Sequence, residues 1–138
     1  MDRALIYIKY ILATVGGLLT TLLGGWDMML KVLVLFVVLD YFVGVMAAFM
    51  TKTLNSNIGF KGICKKILLF VPIVIAYYID QAMGADILRN LAIWFYLANE
   101  GLSIMENLGK AGVLIPKPLI DALEQIKQKN DGEVKQDG

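Results

Sequence analysis

The sequence predicts an all-α integral membrane protein: three to four transmembrane helices followed by a C-terminal cytoplasmic amphipathic helix. Two observations carry this. The 138 residues are 58% hydrophobic and 18% charged, whereas soluble domains are about half apolar and about a quarter charged. The apolar residues also gather in four long stretches, with most charges between and after them. The length suits one transmembrane helical domain, 1–110, and a tail, 111–138.

The first stretch, 4–25, is interrupted by Gly16 and Gly17 and carries Lys9. It is compatible with spanning and with lying in the membrane interface. Although Arg3 and Lys9 precede apolar residues as in a signal peptide, no small-residue cleavage site leads into a soluble domain, so the segment is expected to be retained. The second stretch, 28–50, is the strongest, with one interruption at Asp40 and with Lys31 near its end, where it can snorkel. The third, 67–83, contains Pro72, which spanning helices tolerate when neighbours satisfy the freed carbonyl. The fourth, 87–108, carries Asn90, Asn99, Glu100, Ser103 and Glu106. After it, Pro118 suits a first helical turn, and Leu119, Ala122, Leu123 and Ile126 recur at helical spacing. An amphipathic helix is expected over 118–128, with a disordered polar end after it.

Basic residues set the orientation, because short loops rich in Lys and Arg stay in the cytoplasm. The linker between the second and third stretches holds Lys52, Lys61, Lys65 and Lys66 and no acidic residue. The tail is also rich in lysine, while Asp80 and Asp86 fall in the connection before the fourth stretch. Linker, tail and C-terminus are therefore expected inside. Trp26-Asp27 falls outside if the first stretch spans, and Arg89 is expected to snorkel at a segment end.

Several function classes are excluded on composition. The chain has no histidine, which removes the commonest general base and metal ligand. Cys64 is the single cysteine, and no phosphate loop or metal motif is present. A net charge of +1 gives no reason to expect a nucleic-acid partner. No catalytic residue, cofactor or metal is expected.

Information lies in the intramembrane polar groups. Asp40 and Glu100 both fall roughly 18–20 Å from the outer ends of their helices at 1.5 Å per residue, so they share one level. Gly44, Ala47 and Thr51 lie on the Asp40 face and form a stripe of small residues that another helix can approach closely. On the fourth stretch Asn99, Glu100, Ser103, Glu106, Asn107 and Lys110 occupy an arc of about 120°. Two readings of that arc stand side by side. It packs inside the monomer, with Glu100 held by hydrogen bonds or by Lys65 or Lys66, or it self-associates and finally faces water.

At these residues the chain resembles the phage-lysis and toxin-secretion holin family. Asp40-Tyr41-Phe42-Val43-Gly44 is similar to the family's Asp-x-x-x-Gly in an early spanning helix. The basic linker from Asn55 to Lys66 resembles the family's cytoplasmic loop. The most specific likeness is the run Asn99-Glu-Gly-Leu-Ser-Ile-Met-Glu-Asn107, followed by Gly109, Gly112 and Pro116. Leu114 departs from the pattern, standing where the first proline of the turn is expected. The resemblance covers roughly residues 30 to 127.

The resemblance implies a multi-pass protein of the bacterial host's cytoplasmic membrane. It would associate with the lipid bilayer and with itself, and open lesions for timed host lysis. Its functional partner would be an endolysin, or in relatives a secreted toxin, and an antiholin could restrain it. The alternatives kept open are a small proton- or cation-translocating subunit using Asp40 and Glu100, and an antiholin-like inhibitor.

Overall fold

The computed structural model describes residues 2–136, and the side-chain surroundings of residues 2–129. Its helices are α1 (Arg3–Leu22), α2 (Met28–Met50), α3 (Ser56–Leu68), α4 (Phe70–Met83), α5 (Leu88–Lys110) and α6 (Lys117–Gln136).

Local chemistry explains most boundaries. Gly24 and Gly25, at φ 83° and 105°, end α1 in a conformation that side chains disfavour. Asp27 then caps α2, its carboxylate accepting from the Leu30 N–H at 3.0 Å. Asn55 caps α3 through the Asn57 N–H at 2.9 Å. The helix is interrupted at Leu69, three residues before Pro72. Proline has no N–H for the carbonyl four residues back, that of Leu68, and its ring crowds that turn. The chain keeps its helical course, so α3 and α4 form one 28-residue run. Gly84 (φ 67°) closes α4, and Gly112 (φ 88°) lies in the turn between α5 and α6.

Three runs are long and apolar enough to cross a bilayer: α1, α2 and the α3–α4 pair. Their outer surfaces remain apolar, with Leu12, Phe42 and Met83 all largely exposed, as suits contact with lipid. At 23 residues α5 also has spanning length, but its polar residues keep it outside that apolar set. It lies at the centre of the fold, packed against α2, α4 and α6. The core joins Leu30, Leu33 and Val37 of α2 to Ile73 of α4 and to Ile93 and Leu97 of α5. By contrast, no residue of α1 is buried. An apolar cleft of about 990 Å³ separates Leu19 and Leu22 of α1 from Val34 and Val38 of α2 and from Val71 and Ile75 of α4.

Two expectations need correction. The third helical run starts at Ser56 rather than 67, so Lys61, Lys65 and Lys66 of the expected loop stand on a helix, and only Lys52 stays in a turn. The amphipathic helix continues to Gln136 instead of ending near 128, where a disordered end was expected. Its half-buried face is Ile120, Leu123, Ile126 and Lys127, whereas Leu119 and Ala122 are exposed. The last two residues, 137–138, lie outside the described region.

Candidate functional site

A buried polar cluster forms where α2, α3 and α5 meet. Asp40 on α2 is 5% exposed and Glu100 on α5 is 9% exposed. Lys66, at the end of α3, donates from Nζ to Asp40 Oδ2 and to Glu100 Oε2. Asn107 Nδ2 donates to Asp40 Oδ1 at 3.3 Å. Helix α3 brings the lysine here because its glycine face lies on α2. A Cβ at Gly59 would touch the Tyr41 hydroxyl at 3.5 Å, and one at Gly62 the same ring at 3.8 Å. Gly44 has a similar role beside Asn107, since a Cβ there would lie 3.3 Å from Asn107 Nδ2.

With all three groups ionised, Asp40, Lys66 and Glu100 carry two negative charges and one positive. Such a group is costly in a low-dielectric interior unless it is paired and hydrogen-bonded. Asp40 is 12 residues from the start of α2, about 18 Å along a helix about 35 Å long, so the triad sits near mid-span.

The remaining expected residues divide. Ala47 is buried, and its carbonyl accepts from Thr51 Oγ1 at 2.9 Å. Asn99 and Ser103 are half-buried on α5. Glu106 points outward and pairs with Lys110 at 3.2 Å, both well exposed. Lys52, Lys61 and Lys65 are exposed and take no part in the triad. The structure thus brings together Asp40, Glu100, Asn107 and Lys66, and leaves Glu106 apart.

A second ionic cluster, at the end of the bundle where α1 meets α2, went unrecognised in the sequence. Arg89 is 7% exposed, not snorkelling. Its Nε donates to the Leu23 carbonyl at 2.6 Å, Nη1 to Asp27 Oδ2 at 2.6 Å, and Nη2 to the Gly25 carbonyl at 3.2 Å. Asp80, 2% exposed, accepts from the Leu88 and Arg89 N–H groups at 3.0 and 2.8 Å and so caps α5 from α4. Arg89 holds the Asp27 carboxyl below its usual range, chiefly through their hydrogen bond, while partial burial opposes the shift. The charge rule puts Asp80 on the outer side, with Asp27 beside it if the first stretch spans, and Arg89 breaks the rule at that same end; that coincidence is the available signal.

The bacteriophage holin family matches over residues 17–128, most of the chain. The chain belongs to this holin family. A probable holin of Bacillus phage phi105 is 38% identical over 101 residues, 72% of this chain and 75% of the phage protein. An uncharacterized 14.9 kDa protein of Clostridium perfringens is 40% identical over 131 residues, 94% of this chain and 99% of that relative. An uncharacterized protein of Listeria monocytogenes is 39% identical over 115 residues, 83% of this chain and 82% of its own length. No solved structure matches significantly. Holins are a non-enzymatic, membrane pore-forming class, and the three long apolar runs make this member a multi-pass membrane protein. The holin match begins inside α1, leaving its first 14 residues, 3–16, outside.

Proposed function

We propose that the chain self-associates in the bacterial cytoplasmic membrane and opens lesions through which an endolysin, or a toxin, reaches the cell wall. The observation that carries this reading is the mid-span triad, in which Lys66 ties α3 to α2 and α5 through two buried carboxylates. The exposed Lys52, Lys61 and Lys65 support a cytoplasmic location for the end of the bundle that carries them, with the turn between α5 and α6.

In the monomer Lys66 and Asn107 hydrogen-bond Asp40 and Glu100, the lysine offsetting one of their two charges, and keep the polar faces turned inward. Self-association replaces lipid around these helices, and Gly44 and Ala47 allow close approach. Opening admits water to Asp40, Asn99, Glu100, Ser103 and Asn107, and their hydration stabilises the open edge. Glu106 already stands at the rim of that face. This hydration role fails if Glu100→Leu inserts normally and leaves lysis timing unchanged.

The direct test is inducible expression with and without a cytoplasmic endolysin lacking an export signal. Abrupt lysis after a delay, only when the endolysin is present, supports the lesion. Gradual growth inhibition with endolysin retained inside supports an inhibitor or transporter instead. The triad also gives a specific reason to weigh proton or cation translocation, because two carboxylates sharing one lysine form a plausible ion-exchange site. Purified protein in liposomes separates these readings: lesions pass folded proteins, whereas a transporter passes only small ions.

A further inference from the structure

Helix α6 has an unexpected place. It turns back from the end of α5 and packs along it. The Leu123 side chain rests on Gly101, where an added Cβ would lie 2.9 Å from Leu123 Cδ2 and 3.4 Å from the Phe36 ring of α2. Gly101 adjoins Glu100, so Leu123 lies at the level of the triad. The α5 segment beyond Gly101 is nine residues, so α6 enters about 14 Å back along the bundle before reaching that level.

On the far side of α6, Asp121, Glu124, Gln125 and Gln128 are all exposed. They fall within about 8 Å of Leu123 along the helix axis, and therefore near mid-span. Helix α6, at 20 residues, is long enough to cross a bilayer but is not among the runs apolar enough to do so. Charged and amide side chains cannot face hydrocarbon at this depth and need water or a polar partner. The half-buried side of the same helix, Ile120, Leu123 and Ile126 with Lys127 beside them, packs on α5. Helices α5 and α6 therefore form one amphipathic hairpin, with the apolar seam inside and the polar face outside.

We propose that α6 remains docked on α5 in the open assembly and lines the water-filled lesion, presenting Asp121, Glu124, Gln125 and Gln128 to the lumen. This rests on the lesion-forming reading and refines it. The wall is the outer face of α6 backed by the triad, and the tail enters from the cytoplasmic side to lie along that wall. Charge on α6 and the small residue at Gly101 then serve one arrangement, since a larger side chain at 101 would lift α6 away from α5.

A Cys64→Ser protein carrying Gly101→Cys and Leu123→Cys tests this in liposomes loaded with a folded fluorescent protein. The disulfide is expected to form in the membrane, seen as loss of both maleimide-reactive thiols, and the locked protein is expected to release its cargo with no loss of rate. A fluorophore on Glu124→Cys, in Cys64→Ser alone, should be quenched by aqueous iodide and not by spin labels on lipid chains. Phe42→Cys, on the lipid side of α2, should show the reverse. If the disulfide abolishes release and reduction restores it, α6 must leave α5 and the inference is overturned. It is equally overturned if both thiols stay reactive, or if lipid spin labels quench the Glu124 site. If the Cys64→Ser parent, which has no thiol, passes ions but no protein, the lesion reading itself fails, an outcome distinct from loss in the oxidised double-cysteine protein alone.

Discussion

The two ionic clusters of this bundle are built differently. Around Arg89, at the end where α1 meets α2, two of the three side-chain bonds go to backbone carbonyls, and Asp80 spends both oxygens on backbone N–H groups. At mid-span every bond of the triad runs between side chains: Lys66 to Asp40, Lys66 to Glu100, and Asn107 to Asp40. A network anchored on the backbone cannot rearrange without unfolding a turn. One made of side chains on three helices can exchange partners when those helices move or when water arrives. The first therefore acts as a clamp, and the second is the better candidate for a step in assembly.

The sharpest way to break this contrast is Lys66→Met. It leaves two buried carboxylates facing each other with no counter-charge, and removing one partner of a buried ionic group costs roughly 3–5 kcal/mol. We expect the largest loss of thermal stability in detergent here, with Lys66→Arg retaining most of it. A variant as stable as the parent would show that the triad contributes nothing to the closed fold.

At the clamp, Gly24→Ala is expected to come next. A Cβ at this position would lie 2.5 Å from the Tyr77 ring and 2.9 Å from Arg89 Nε, at a backbone φ of 83°. The left-handed conformation alone costs a side chain about 1–3 kcal/mol, and the clash adds to it. Gly84→Ala is the control, because its φ of 67° carries the same strain but nothing lies within 4 Å. Differential scanning fluorimetry should separate the two, and equal effects would remove the packing argument.

How far these features could be read beforehand differs between the regions. Hydropathy places α1, α2 and α4 well, because lipid demands long apolar runs whatever the tertiary arrangement. It mistakes α3 for a loop, since Asn55, Ser56, Gly59 and the lysines suggest a solvated linker. Only as a helix does the segment direct Lys66 inward and Lys65 outward, so the two could not be told apart from spacing alone. Asp40 and Glu100 were legible as polar interruptions at one depth. Arg89 was misjudged because position near a segment end says nothing about the carbonyls of Leu23 and Gly25 that receive it. The docking of Leu123 on Gly101 depends on a turn whose direction the local sequence does not encode.

A pH titration probes the clamp more gently. Arg89 keeps the Asp27 carboxyl below its usual range. Because the folded value is the lower one, the stabilisation is fully present above the ordinary carboxylate pKa of about 4 and is lost as pH falls through the depressed value. Protease cleavage in the turn between α1 and α2 should accelerate over that acid window. Asp27→Asn should flatten the response, and an unchanged acid response in that variant would place its cause elsewhere.

The smallest effect is expected at Glu106, and its smallness is useful. Its pair with Lys110 is an exposed contact four residues apart on α5, of a kind worth about 0.2–0.5 kcal/mol. Glu106→Gln should therefore leave thermal stability and membrane insertion nearly unchanged. Any marked shift in lysis timing would then have to come from the assembled state, where this rim residue meets water or a second copy. Glu100→Gln perturbs the triad and the assembly together, so it cannot separate the two. Timing that stays at the parent value in Glu106→Gln would confine the functional polar face to the residues around the triad.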